Sequence, residues 1–350
     1  MLIIELVLIV IFSFGLTYLL VPINILFSKR FNLMDVPNER AIHNEQVPLA
    51  GGLSFAIPVI ILQIFYSLRY NEFGLEKEVG TQILKLAIGG LAILVLGLFD
   101  DKRKFTANYK FLFQILIAIG MYFSGFKMTL LTNPFGPQIS LGIFSFPFTI
   151  IWFLVVINAF NLIDGIDGLA AGVTIIVTSV LLAVGLVYSN TIVILLSLPL
   201  LCSNLAFLRY NFYPAKIFMG DTGALFIGLN IAAISITGIS QYKGITAMTL
   251  LIPIIVLIIP ISDTILAIFR RIKKRKHIFQ ADKEHLHHKM LDLGFSQKSI
   301  AFIGYFITFM FGLIAFGFSF ASKEILTGIL ILLMALLLFF LIVLFKRGLK

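Results

Sequence analysis

The chain has 350 residues, 59% of them hydrophobic and 13% charged, with a mean hydropathy of +1.04. A water-soluble domain is about half apolar and a quarter charged, so this composition excludes one and makes lipid the main solvent. A net charge of +10 in so apolar a chain fits basic loops on one side of a membrane better than a nucleic-acid surface, and no nucleic-acid partner is expected.

Apolar runs close to the ~20 residues that cross a bilayer recur along the whole length. They predict helices over residues 2–27, 51–68, 81–98, 109–126, 147–163, 168–187, 191–208, 222–239, 245–270, 299–318 and 325–345. The expected fold is an all-α integral membrane protein, a polytopic bundle of about 11 transmembrane helices. No run of soluble composition interrupts it, so residues 1–350 read as one membrane-embedded domain. The first run lacks a basic leader and a small-residue cleavage site and reads as a retained helix. Between the fourth and fifth helices, Asn133-Pro134-Phe135-Gly136-Pro137 is dense in turn formers and predicts a short β-hairpin on the outer face. Cys202, the one cysteine, sits in an apolar run and receives no chemical role. No internal repeat of the kind common in transporters is visible.

The loops must alternate sides. Of the 27 basic residues, 21 fall on the side of the 28–50 loop, and the other six are Arg69, Lys77, Lys85, Lys127, Lys243 and Lys323. The positive-inside rule makes the first side cytoplasmic, with the amino terminus outside and the carboxyl terminus inside. Asp35, Asp100, Asp101, Asp164, Asp167, Asp221, Asp282 and Glu284 fall on that same side, although the assignment used basic residues alone. Two independent signals thus point to one face.

Asp100-Asp101 ends an apolar helix, and adjacent carboxylates repel unless a cation neutralises them; an ordinary polar helix end is the plainer alternative. Asn158, Asn161, Asp164 and Asp167 recur every three residues and line one stripe of an otherwise apolar segment. Steps of three drift by roughly 60° on a 3.6-residue helix, so Gly165 and Gly168 are expected to break it and turn the two aspartates into a pocket. Interhelical hydrogen bonding would account for the asparagines but poorly for the aspartates. Asp221 lies between Gly220 and Gly223 at a helix start, where backbone can approach a phosphate and the helix end favours anions or their metal complexes; a simple N-cap is the alternative. Hard carboxylate oxygens beside phosphates suit Mg²⁺, with Mn²⁺ as a substitute. His285-Leu286-His287-His288 could donate to a phosphate or sugar, or be a surface loop; zinc would use a wider spacing, and no cysteine is near. The run Arg270 to Lys276 reads as a stop-transfer and anionic-lipid contact. In the first cytoplasmic loop, Asp35-x-Pro37-x-x-Arg40-x-x-His43 leading to Pro48-x-x-Gly51-Gly52 reads as a shaped loop.

In this order the motifs resemble the polyprenyl-phosphate N-acetylhexosamine-1-phosphate transferase family, which takes in the WecA/TagO-type enzymes and MraY. The matching stretches are the Asp35 to Gly52 loop, LFDD at 98–101, NYKF at 108–111, NAFNLIDGIDGLAAG at 158–172, NFYPAKIFMGDTGALFIG at 211–228 and HLHH at 285–288. The resemblance implies transfer of a sugar 1-phosphate from a UDP-N-acetylhexosamine to a polyprenyl phosphate lipid, with release of UMP, from a catalytic cleft on the cytoplasmic side of the bacterial inner membrane. That step starts a lipid-linked cell-surface glycan such as a teichoic acid or lipopolysaccharide. It further implies Asp221 as the Mg²⁺ ligand and Asp100, Asp101 and Lys110 as the lipid-phosphate and reactive site. Asn161 and Asp164 would support that centre. Asp167, Asn211 and Phe218 would meet the uridine, with Arg40, His43, His285, His287 and His288 completing the substrate-binding and catalytic set. A homodimer is compatible with the family. Leu286 interrupts the histidine run, which favours UDP-N-acetylglucosamine over the muramoyl-pentapeptide donor of MraY.

The acceptor phosphate has a second pKa near ~6 and is largely ionised at neutral pH, so no strong base is needed. Direct attack on the sugar-bearing phosphorus and a covalent phosphosugar on an aspartate both remain open at this point. An ion-coupled transporter would place carboxylates near the midplane, where only Asp263 lies. A CDP-alcohol phosphotransferase would need an arginine that Asp167-Gly168-Leu169-Ala170-Ala171-Gly172 lacks.

Overall fold

The computed structural model describes residues 3–36, 46–131, 139–241, 290–291 and 293–317, with six further residues between 328 and 335. Its long helices are α1 (Ile3–Arg30), α2 (Gly52–Leu68), α3 (Lys77–Arg103), α4 (Ala107–Phe123), α5 (Ser145–Ile163), α6 (Leu169–Val187), α7 (Thr191–Asn211), α8 (Gly220–Gln241) and α9 (Gln297–Gly317). Seven described segments are long and apolar enough to cross a membrane, while α2 and α4 are shorter apolar helices. The protein is therefore a mostly helical, multi-pass membrane protein. The predicted helices at 245–270 and 325–345 lie wholly or largely outside the described residues. Two small antiparallel pairs join the helices: β1 (Met34–Asp35) with β2 (Val47–Pro48), and β3 (Leu130–Leu131) with β4 (Ile139–Ser140).

The side chains of α1 are sorted for lipid. Its buried positions are Ile9, Ser13, Thr17, Val21, Asn24 and Ser28, a stripe at helical spacing that is mostly small or polar. Ile4, Leu8, Ile11, Leu19, Ile23 and Leu26 point outward. In water that arrangement would be inverted; in hydrocarbon, large apolar groups face the solvent and small or polar groups permit close packing and interhelical hydrogen bonds. Asn24 uses the opportunity, donating to the Ala50 carbonyl at 2.9 Å and to the Ser54 hydroxyl at 3.0 Å.

Helix α8 is the axis of the bundle. Of its Gly220–Thr237 stretch, 94% is buried, against 22% for the apolar window of α1. Helices α2, α3, α5, α6 and α7 all pack on it. Close approach depends on glycine: a Cβ on Gly97 would lie 2.6 Å from the Asp221 carbonyl oxygen, and one on Gly52 would strike the Gly223 backbone. Deeper in the bundle, Gln63 donates to Asn230 at 2.7 Å and Trp152 to Ser235 at 3.0 Å. These bonds tie α2 and α5 to the axis.

Candidate active site

Successive helices alternate direction, so the carboxyl ends of α1, α3, α5 and α7 meet the amino ends of α2, α4, α6 and α8 at one face. The segment between α7 and α8 runs back against the strand β2 and the start of α2. Phe218 N donates to the Pro48 carbonyl (2.9 Å), Gly51 N to the Phe218 carbonyl (2.9 Å) and Gly52 N to the Met219 carbonyl (3.0 Å). Two motifs 170 residues apart in sequence are thereby joined by backbone alone.

At the centre stands Asp221, in the first turn of α8. Lys110 of α4 forms an ion pair with it and a second one, at 3.0 Å, with Asp100 of α3. Lys110 also donates to Asn161 Oδ1 of α5 at 3.3 Å, and the Asn161 amide donates to Asp221 Oδ1. Lys110 therefore bridges Asp100 and Asp221. Four helices thus contribute one side chain each to a small polar centre. It remains open to solvent: the side chains of Asp221, Lys110 and Asp100 are 22%, 15% and 10% exposed. Asp100 Oδ1 also accepts from Phe105 N at 2.7 Å, fixing the α3–α4 turn.

Asp101 faces another way. Its Oδ1 accepts from Asp221 N at 2.8 Å, and its Oδ2 accepts from Thr222 N at 3.1 Å and from the Thr222 hydroxyl. Gly220 makes room for it: its φ is +68°, and a Cβ there would come within 2.6 Å of Asp101 Oδ2.

The asparagine and aspartate stripe breaks as expected. Helix α5 ends at Ile163, α6 begins at Leu169, and Gly168 between them has φ +76°. Gly168 N donates to Asn211 Oδ1 (3.2 Å), the Asn211 amide donates to the Ile217 carbonyl (3.0 Å), and Ala215 N donates to Asp167 Oδ2 (2.9 Å). Asn211 and Asp167 therefore knit the 164–168 turn to the 212–219 segment. Half-buried Asp164 sits in that turn. Burial pushes its carboxyl well above the ordinary range, and Asp221, Asp101 and Asp167 push it further, opposed by the Gly220 N–H. Phe218, in the 212–219 segment, is partly exposed.

One turn deeper, Asn158 donates to Gln114 at 2.8 Å, so α4 and α5 are bonded directly beneath Lys110 and Asn161. Sequence reasoning passed over Gln114, although a polar residue four positions after Lys110 in an apolar helix was a usable signal. It also passed over Thr222 and Tyr305. The Tyr305 hydroxyl donates to the Gly168 carbonyl at 2.7 Å, a contact with no local sequence signature. Arg40, His43, His285, His287 and His288 lie outside the described residues.

The donor set fits a hard divalent cation. Asp221, Asp100 and Asn161 offer oxygen ligands, and adjacent carboxylates call for positive charge. Among the described residues, no group of three or more His, Cys, Asp or Glu side chains is arranged to hold a metal by itself. An ion at Asp221 would draw its remaining ligands from water and substrate oxygens, as Mg²⁺ does beside phosphates.

An apolar bundle with a lysine-bridged carboxylate centre at one open face has the architecture of a membrane-embedded enzyme acting on phosphates. Residues 83–239 match glycosyl transferase family 4. The chain is 39% identical to a probable undecaprenyl-phosphate N-acetylglucosaminyl 1-phosphate transferase of Bacillus subtilis, over 82% of this chain and 77% of that one. It is 31% identical to a decaprenyl-phosphate N-acetylglucosaminephosphotransferase of Mycobacterium leprae, over 86% and 80% of the two chains. To a phospho-N-acetylmuramoyl-pentapeptide-transferase of Clostridium botulinum it is 30% identical, over 77% and 81%. The chain belongs to glycosyl transferase family 4, and these relatives are named as transferases of a sugar phosphate.

Proposed function

We propose that the protein transfers N-acetylglucosamine 1-phosphate from UDP-N-acetylglucosamine to a polyprenyl phosphate, releasing UMP, at the cytoplasmic face of a bacterial inner membrane. The observation that carries this reading is the convergence of Lys110, Asp100 and Asn161 on Asp221 at the first turn of α8, in a chain 39% identical to a relative named for that transfer. The identity favours this donor over the muramoyl-pentapeptide donor of the MraY type, whose named relative is more distant. The full-length domain, the eleven-helix count, the outer hairpin, the orientation with the amino terminus outside, and any homodimer belong to the same proposal.

The chemical difficulty is to bring two anions together. Lys110 would hold the acceptor phosphate, its charge offsetting the repulsion between that phosphate and the donor diphosphate. One acceptor oxygen then attacks the sugar-bearing phosphorus, a new P–O–P bond forms, the bond to the uridine-bearing phosphate breaks, and UMP leaves. Asp100 orients the acceptor and can take a residual proton from it. Asp221, with Asn161 and Asp100 beside it, would hold Mg²⁺, which when bound neutralises charge on the diphosphate and the leaving UMP. Asp167, Asn211 and Phe218 would meet the uridine and Asp164 would support the centre, while Arg40, His43, His285, His287 and His288, outside the described residues, would complete the substrate-binding and catalytic set.

The test is purified protein in detergent with Mg²⁺ or Mn²⁺, undecaprenyl phosphate and a panel of UDP-sugars, scored for UMP. UMP release with UDP-N-acetylglucosamine, dependent on lipid and on metal, is the expected result. No UMP with any N-acetylhexosamine donor would overturn the assignment. A stoichiometric burst without lipid would replace direct attack by a covalent phosphosugar.

A further inference from the structure

We propose that the Asp100–Asp101 doublet is divided in function: Asp100 faces the reacting groups, and Asp101 is a positioning residue that fixes Asp221 by capping α8 from another helix. The proposal rests on the function given above. It departs from the family resemblance, which assigns both carboxylates to the lipid-phosphate site.

A carboxylate offers about four acceptor positions. Asp101 commits three of them to α8, taking the Asp221 N–H, the Thr222 N–H and the Thr222 hydroxyl. The two backbone donors are among the first N–H groups of α8, which have no partner within their own helix. Such groups are ordinarily served by a side chain just ahead of the helix. Here the helix begins at Gly220, which has none, and whose lack of a Cβ is what admits Asp101. The cap therefore comes from 120 residues earlier in the chain, and its negative charge also suits the positive end of α8. One turn back along α3, Gly97 packs against the Asp221 carbonyl and the Thr222 Cα. Helix α3 thus grips the same turn of α8 at two successive levels.

Asp100, the neighbouring residue, emerges on a different side of α3 and meets Lys110 at 3.0 Å. The geometry makes Asp101 the rivet that sets how far Asp221 stands from Asp100 and Lys110. Displacing a catalytic side chain by about 1 Å can cost ~100-fold in rate. Loosening the rivet should therefore slow turnover without weakening the hold on the lipid.

The experiment compares Asp101→Asn, Thr222→Val, the double variant and Asp100→Asn in two readouts. Steady-state kinetics should show kcat reduced about 10- to 100-fold in Asp101→Asn and less in Thr222→Val, with KM for polyprenyl phosphate unchanged in both. The double variant should be no worse than Asp101→Asn alone, because both substitutions break one unit. Hydrogen–deuterium exchange of peptides covering residues 220–223 should be faster in both single variants and unchanged in Asp100→Asn. A rise in KM for polyprenyl phosphate with undiminished kcat in Asp101→Asn would overturn the proposal, as would wild-type exchange at 220–223 in both single variants. If Asp101→Asn does not fold, Thr222→Val carries both readouts. A wild-type protein that releases no UMP would defeat the proposed function instead, and the exchange measurement would still decide this one.

Discussion

Lys110 stands between two carboxylates and an amide, each from a different helix. Replacing it by Met keeps the apolar stem and removes the charge. The expected effect is a fall in kcat of about 100- to 1,000-fold, the scale of losing one preorganised electrostatic contact. A melting temperature close to wild type would show that the loss is chemical. Asp221→Asn keeps the shape and halves the oxygen ligands, and should abolish turnover; undiminished activity would remove Asp221 from the centre. At this scale much was legible in the sequence. Carboxylates in an apolar chain are expensive, so Asp100, Asp164, Asp167 and Asp221 announced themselves. What each one bonds to was not legible. The different tasks of Asp100 and Asp101 depend on which side of α3 each leaves, and on a partner helix 120 residues away. Nor was it legible that both ends of the Asn211 amide bond backbone of the site loops.

The helices were legible because lipid forces regular structure: a span must satisfy its own backbone, so apolar runs of the right length can only be helices. The sequence also gave away the break after α5, since a stripe at steps of three could not continue on an intact helix and Gly168 was at hand. The prominence of α8 was harder to see. Its hydropathy is the lowest of the seven described spans, 1.3 against 2.1 to 2.5 for the others: it opens on Gly220-Asp221-Thr222-Gly223, and its Asn230 and Ser235 bond Gln63 of α2 and Trp152 of α5 rather than facing lipid. Its close contacts are testable. Gly52→Ala would drive a methyl group into the backbone of Gly223, and overpacking of this kind costs about 1–3 kcal/mol. The variant should melt lower in detergent and lose activity, because the contact lies one turn from Asp221. Gly15→Ala, where no atom lies within 4 Å of the added Cβ, should leave both unchanged.

For the whole molecule, the contacts around Asp221 bring the polar centre to one face, and the proposed orientation, drawn from the count of basic residues, would put that face in the cytoplasm. Cys202 is the single cysteine and is buried, so introduced cysteines can be labelled over a low background. With a membrane-impermeant maleimide on intact spheroplasts, Lys127→Cys should react at once and Lys102→Cys only after permeabilisation; both positions are exposed. The reverse pattern would turn the bundle over. The family name leaves open whether sugar or sugar phosphate moves, whereas the lysine-bridged carboxylates around Asp221 suit chemistry at phosphorus. The most direct measurement uses UDP-N-acetylglucosamine carrying ³²P only in the sugar-bearing phosphate, with polyprenyl phosphate as acceptor. The account predicts that the label passes to the lipid fraction while unlabelled UMP is released. Label left behind in UDP would mean transfer of sugar alone and would contradict it.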